Sequence, residues 1–329
     1  MEVVKRLYKE YYNYVINNNL LEVPEKIEYR EFGYGYLKKV DNRNLSFKNE
    51  KEYKMWVLSN TPFHLYKSLA YCYYPNRQGG AKQKEVFRRE LAFDIDVHKT
   101  EKCKHDNDFI CKYCLEKAKK QALYLIDEFL LTDFGLKEDD ILIVFSGNRG
   151  FHIYIKPKDL KLRDIIEQYS KEERRFLLSY VLGEHLNPSY IGYGWRRRLF
   201  KLLKPKDKKL LYRKNWKGFF NKDVILKNRL ELDEKVMEDD IRLLRVIYSL
   251  HGYTGFIVKP VAYKDLKKFN PLKDAIFGKF EEKWYKVEIN SDREFSITIN
   301  NRRYTNRSKK VSGTALLFLF GHNIKFELL

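Results

Sequence analysis

The 329-residue chain is short of acid, of cysteine and of long apolar runs, and each shortage excludes something. Its 45 Asp and Glu face 65 Lys and Arg, a net charge of +20. So large an excess points to a polyanionic partner, nucleic acid first and an anionic membrane surface second. A salt- or heat-adapted surface would explain the 33% of charged residues but not the asymmetry of sign. Only four cysteines occur, three of them between Cys103 and Cys114, which is no disulfide framework. The longest apolar run near the end, "ALLFLF", is far too short to span a bilayer. "MEVVKRLYKEYYNYV" has an acid at once and no long apolar segment, so it does not read as a signal peptide. No internal repeat or low-complexity tail is present. The expectation is an intracellular protein with no membrane association.

What is present is aromatic-rich, 16% Phe, Trp and Tyr, enough for a substantial core and roughly two domains. Val4, Leu7, Tyr8, Tyr11 and Val15 recur at helical spacing. "IEYREFGYGYL" reads as a strand or hairpin, and "KMWVLSNTPFHLYKSLAYCYYP" as a short strand followed by a helix opening at Thr61-Pro62. "VFRRELAFDIDV" is a strand, residues 115–133 a helix, and "DDILIVFSGNRGFHIYIKP" two strands about a glycine turn. Long, strongly basic helical patterns fill the stretch from Leu160 to about Lys235, and strand-like text then resumes. The mixed order favours α+β. The division expected is 1–159 with 232–329 as one catalytic α/β module, carrying a metal loop at 101–116, and 160–231 as a helical basic subdomain.

Three stretches carry chemistry. In "ELAFDID", strand alternation puts Asp94 and Asp96 on one face and Phe93, Ile95 and Val97 on the other. Paired carboxylates repel unless a cation or proton sits between them, and a hard divalent ion is the natural solution; on a solvated face the same acids would be inert. "CKHDNDFICKYC" offers Cys103, His105, Cys111 and Cys114, a closed four-ligand set suited to structural zinc. Cys72 stands apart as an ordinary thiol. "FSGNRGFH" brings Gly147, Gly150, Ser146, Arg149 and His152 to one turn, fit for phosphate oxygens or merely a hairpin. "RLLRVIYSLHGYTG" adds Arg242, Arg245 and His251, which an amphipathic helix with solvated arginines would also explain. The triplet Arg196, Arg197 and Arg198 is a contributor to template binding, a partner interface or ordinary surface.

The order of these motifs, E-L-x-F-D-I-D, a Cys/His cluster, S-G-x-R-G-x-H, then D-x-x-V before R-L-x-R-x-x-x-S-L-H-x-x-T-G, closely resembles the archaeal and eukaryotic DNA primase small, catalytic subunit. The resemblance runs from about Tyr29 to Val258, and the part after Lys264 matches loosely. It implies an RRM-like primase-polymerase catalytic module making short primers on single-stranded DNA by two-metal nucleotidyl transfer. It implies Asp94, Asp96 and Asp233 as ligands of Mg²⁺ or Mn²⁺, with Asp239 and Asp240 as weaker competitors for the third place. It implies Arg30, Ser146, Arg149, His152, Arg245 and His251 as contacts to an NTP or dNTP. It implies a partner large subunit with an iron–sulfur domain, and a cytoplasmic setting in an archaeon. The sequence departs from the family pattern at Asn148, where many members have arginine, and at Tyr253, which replaces a lysine. Tyr66 stands where some members have an acid near the sugar, so sugar preference does not transfer. The alternatives are a repair-type primase-polymerase and a zinc-containing nucleic-acid-binding module without catalysis.

Overall fold

A computed structural model describes residues 1–37, 39–103, 105, 109–184, 193–202, 225, 229–291 and 294–329. Two four-stranded sheets form its centre, and every strand pair in them is antiparallel. The first has the order β2 (Asn42–Leu45), β1 (Phe32–Gly35), β3 (His64–Ser68), β9 (Leu243–Arg245). The second has the order β10 (Lys259–Val261), β7 (Ile141–Phe145), β8 (Gly150–Ile155), β6 (Leu91–Asp96). Between β3 and β6 in the chain come β4 (Ala70–Cys72) and β5 (Val86–Arg89), which pair with each other. The mixed helix and sheet architecture is that expected.

Alternation along β6 to β8 gives the second sheet two unlike faces. Phe93, Ile95, Phe151, Ile153, Ile143 and Phe145 are buried in the main core, where helix Lys112–Tyr124 packs on β6 and β8. The opposite face carries Ala92, Val144 and Tyr154, which join Leu69 and Leu244 from the first sheet in a second apolar cluster. That face turns polar toward the end of β6, at Asp94 and Asp96. Each fully buried aliphatic side chain in these clusters contributes roughly 1.5–3 kcal/mol of transfer free energy.

Helix Glu2–Asn17 buries Val4, Leu7, Tyr8, Tyr11 and Val15, as its period predicts. Tyr8 stacks on Phe63 with ring centroids 4.4 Å apart. "ALLFLF" lies in helix Gly313–Gly321, buried on nearly all sides and capped by Ser312, whose Oγ accepts from the Ala315 amide. No helix among the described residues is long and apolar enough to cross a membrane. Helices Leu160–Glu167, Lys171–Leu182 and Tyr193–Leu202 occupy the basic stretch, most of whose remainder lies outside the described residues.

One expectation needs correction. The helix is Glu50–Asn60, ahead of Thr61-Pro62, and strands follow it. Asn49 caps its start, Thr61 ends it at φ 49°, and "HLYKS" is buried on both strand faces, which masks the alternation. Of the arginine triplet, Arg196 is exposed and the other two are engaged within the fold. Arg198 is 1% exposed, paired with Asp133 and laid on the Phe129 ring at 3.8 Å, and Arg197 donates to Glu128 at 2.7 Å. These two guanidiniums fasten helix Tyr193–Leu202 to the segment Glu128–Asp133.

Between the sheets lies a buried ionic hub at Glu90. Its carboxylate meets Arg30 at 3.2 Å, Lys67 at 3.1 Å and Lys156 at 2.8 Å. Burial pushes the carboxyl pKa up, but these cations outweigh it and hold it well below the usual range. Removing one partner of such a set strands buried charge, at a cost of about 3–5 kcal/mol. Glu90→Ala should therefore lower the unfolding free energy by that much, read as a lower urea midpoint with little change in slope; a loss under about 1 kcal/mol would refute the hub.

Candidate active site

The site begins at the edge of β6. The Asp233 amide donates to the Asp94 carbonyl at 2.9 Å, Asp96 donates to the Glu231 carbonyl at 3.3 Å, and Leu232 bridges to Ile95. A segment more than a hundred residues downstream thereby joins the sheet as a short extra edge and brings a third carboxylate beside the first two. All three line one cavity of about 150 Å³, with Ser146, Arg149, His152, Arg245 and His251. Asp239 and Asp240 are placed elsewhere: Asp239 caps its own turn through the Ile241 amide, and Asp240 pairs with Arg174.

Burial, then the neighbouring charges of Asp96 and Asp233, push the Asp94 pKa up to about 8. Three carboxylates in one cavity cannot all stay ionised unless cations balance them. Arg242 already does so for one, donating to Asp233. Hard oxygen donors converging here fit divalent cations of the Mg²⁺ class.

The opposite wall is cationic but holds its histidines neutral. His152, in register with Asp94 across β6 and β8, lies 3.8 Å from its carboxylate. Burial and then Arg245 lower its pKa to about 3. His251 is lowered for the same reasons, and its Nδ1 accepts from the Tyr253 amide at 3.2 Å. That leaves its Nε2 as the donor. The Arg245 guanidinium donates to His64 Nδ1 at 3.2 Å and lies over the Tyr66 ring at 4.7 Å. Buried, neutral His64 and Tyr66 thus orient Arg245.

The S-G-x-R-G turn connects β7 to β8, with the Ser146 amide bonded to the Gly150 carbonyl at 3.0 Å. A side chain is impossible at two of its positions. A Cβ on Gly147, at φ +85°, would lie 2.6 Å from His251 Cβ, and one on Gly150 would lie 1.8 Å from the Ile95 carbonyl.

Arg30 is not brought to this cavity. It is fully buried, donates to the carbonyls of Ser68 and Leu69 at 2.9 Å, pairs with Glu90 and lies over Tyr71 at 3.6 Å. Its neighbour Glu31 pairs with Arg43, so the R-E-F segment here serves the interior. Lys39 and His64 are the residues that sequence reasoning left out, and it singled out Arg242 and Tyr66 without giving them a place at the acids. Arg242 had a signal, the first arginine of R-L-x-R. Lys39 and His64 had none, since only the pairing of β1, β3 and β9 brings them near Arg245.

Cys103, His105, Cys111 and Cys114 converge, with all four donor atoms within 4.8 Å of one another. The sulfur separations are 3.3, 3.6 and 3.7 Å, and His105 Nε2 lies 3.3 Å from the Cys114 sulfur. Metal–sulfur bonds of about 2.3 Å at tetrahedral angles set sulfurs about 3.8 Å apart, so the donors fit one closed metal site.

Three carboxylates thus face arginines and neutral histidine donors across a small polar cavity, an arrangement able to take cations on one wall and an anion on the other. The sequence profile of the DNA primase small subunit matches residues 93–263, which hold every one of the acids. The DNA primase small subunit PriS of Methanocaldococcus jannaschii is 65% identical over 99% of this chain and 98% of its own length. Those of Methanococcus maripaludis (49%; 99% and 96%) and Picrophilus torridus (29%; 95% and 96%) are similar nearly end to end. Among solved structures, the polymerase domain from Mycobacterium tuberculosis Ligase D in complex with DNA covers 80% of this chain and 82% of its own. Its TM-score is 0.42 at 13% identity, too distant to bear on the argument. The chain belongs to the DNA primase small subunit family and is a primase catalytic subunit, a primer-synthesising nucleotidyltransferase.

Gly150→Ala should force β6 and β8 apart beside Asp96, costing about 2–4 kcal/mol of stability and most of the activity. Gly278→Ala, which meets nothing within 4 Å, should stay within about 0.5 kcal/mol of the parent. Urea unfolding of both variants checks the pair; equal effects would show that the close approach at Gly150 is unimportant.

Proposed function

We propose that the chain synthesises short primers on a single-stranded DNA template, with Asp94, Asp96 and Asp233 holding the catalytic cations. The observation that supports this reading is the pairing of Asp233 with Asp94, which gathers three acids opposite a cationic wall. Mg²⁺ or Mn²⁺ bound there would activate a 3′-hydroxyl for attack on the α-phosphate and offset charge as pyrophosphate leaves. Arg149 and Arg245 grip the triphosphate, with Ser146 and the turn amides as further donors. His251 offers Nε2–H as a neutral donor, and His152 does so without adding charge beside Asp94. Arg242 sets the Asp233 carboxylate and offsets repulsion before cations arrive. Lys39 and Tyr66 close the cavity on the side of the first sheet.

The second sheet, with a helix on one face and the acids on the other, we read as the RRM-like part of the catalytic module. The Cys/His knot holds zinc, because three thiolates and an imidazole in tetrahedral array suit that ion. Relatives are named small subunits, so a large subunit is the expected partner. Nucleoside triphosphates, NTPs or dNTPs, are the substrates. We place the protein inside the cell, where template DNA lies and thiolate ligands stay reduced.

Incubation with single-stranded DNA and labelled nucleotides of both sugar types, in Mg²⁺ and in Mn²⁺, tests the reading. Asp94→Ala or Asp96→Ala should lower incorporation at least about a thousandfold while leaving the unfolding transition in place. Near-normal synthesis by either variant would sink the assignment. Elemental analysis should find about one zinc per chain, and Cys111→Ser should lose it along with heat stability. Carefully prepared protein without zinc would overturn that part alone.

A further inference from the structure

Most buried cations of this protein are matched by carboxylates, but one group of exposed cations is not. The Cys/His knot packs beside the hairpin of β12 (Ser296–Ile299) and β13 (Arg302–Thr305), and the two enclose adjoining cavities of about 780 and 700 Å³. Both cavities are lined by His105, Ser296 and Arg303, so they form one continuous groove. Lys102, Lys112, Lys273, Arg303 and Arg307 line it, all exposed, and none makes an ion pair with a described residue. Among the described lining residues Glu294 is the only carboxylate. Tyr113 adds a ring that is 41% exposed, and Asn270 and Asn301 add amides. Arg303 is held by a hydrogen bond from its Nε to Ser296 Oγ at 3.0 Å, which fixes one cation at the junction of the cavities.

The geometry points to this groove as the path of the single-stranded DNA template as it passes the catalytic cavity, an inference that rests on the primase reading. Uncompensated cations along a groove with an exposed aromatic ring and amide donors match a single strand, whose phosphates track the charge and whose bases stack. The knot is also tethered to the chemistry. Cys103 follows Asp96 by seven positions, so the groove's near end lies at most about 25 Å from that acid. At about 3.4 Å per nucleotide, the strand reaches the groove within roughly seven nucleotides of the point of addition. The tether itself is pinned: the His98 amide donates to Glu231 at 2.7 Å, beside the segment that delivers Asp233.

The test uses the full-length chain and a fluorescent 20-nucleotide single strand, read by anisotropy across a salt series. Replacing Lys112, Lys273 and Arg303 together with Gln should reduce the slope of log K against log salt by about 2. It should also weaken binding about a hundredfold at 0.1 M salt, three phosphate contacts at about 0.7 each. Thermal unfolding and zinc content of the variant are measured first. If that triple variant does not fold, Tyr113→Ala carries the test, with an expected loss of about tenfold. Unchanged affinity and slope in a folded variant overturn the groove, as does unchanged DNA binding with weakened association of a large subunit. Metal-dependent incorporation by the parent protein, run in parallel, separates this outcome from failure of the primase reading. A parent that binds DNA through the groove but adds no nucleotide leaves the groove standing and removes the enzyme.

Discussion

Everything at the catalytic cavity depends on a short edge pairing. One hydrogen bond between the Asp233 amide and the Asp94 carbonyl, with its neighbour at Asp96, holds three mutually repelling carboxylates together. Burial first, and then the charges of Asp96 and Asp233, push the Asp94 pKa up. The repulsion is borne by the backbone ladder, by Arg242 on Asp233 and by the apolar packing of Ile95 and Val97 behind the strand.

The Cys/His knot reinforces the same edge from behind. Cys111 caps the helix Lys112–Tyr124, and Lys117 on that helix pairs with Glu231. Gln121, one turn further, accepts from the Glu231 amide at 2.8 Å. The knot therefore fixes the helix, the helix fixes Glu231, and Glu231 lies two residues before Asp233. The knot's influence on the acids is mechanical, through the elements it anchors, with no ligand shared between the two sites.

The excess of basic residues divides by depth. Inside, Arg30, Lys67 and Lys156 gather on Glu90, and Arg197 and Arg198 clamp Glu128 and Asp133. These cations hold sheets and helices in register. Around the cavity of the three acids, Arg149, Arg242 and Arg245 line the wall with them. Outside, the cations of the hairpin groove have no ion-pair partner among the described residues. Net charge alone indicates a polyanion but cannot separate these three uses.

The sequence by itself determined the local and the periodic. The alternation of ELAFDID set Asp94 and Asp96 on one face, the period of the first helix set its buried stripe, and the spacing of three cysteines and a histidine set a four-donor knot. The ordered motifs carried the family and its activity. Tertiary structure decided whatever depends on distant segments meeting. Arg30, expected at the triphosphate, and Arg197 and Arg198, left open between template, partner and surface, form ion pairs within the fold, because burial and partners more than fifty residues away have no local signature. Thr61-Pro62 reads as a helix start and is a helix end, because the strand after it is buried on both faces and shows no alternation. Lys39 and Arg242 reach the cavity, and His64 reaches Arg245 behind it, only through the pairing and packing of the first sheet. Long-range pairing sets those positions, and no periodicity within a single segment encodes them.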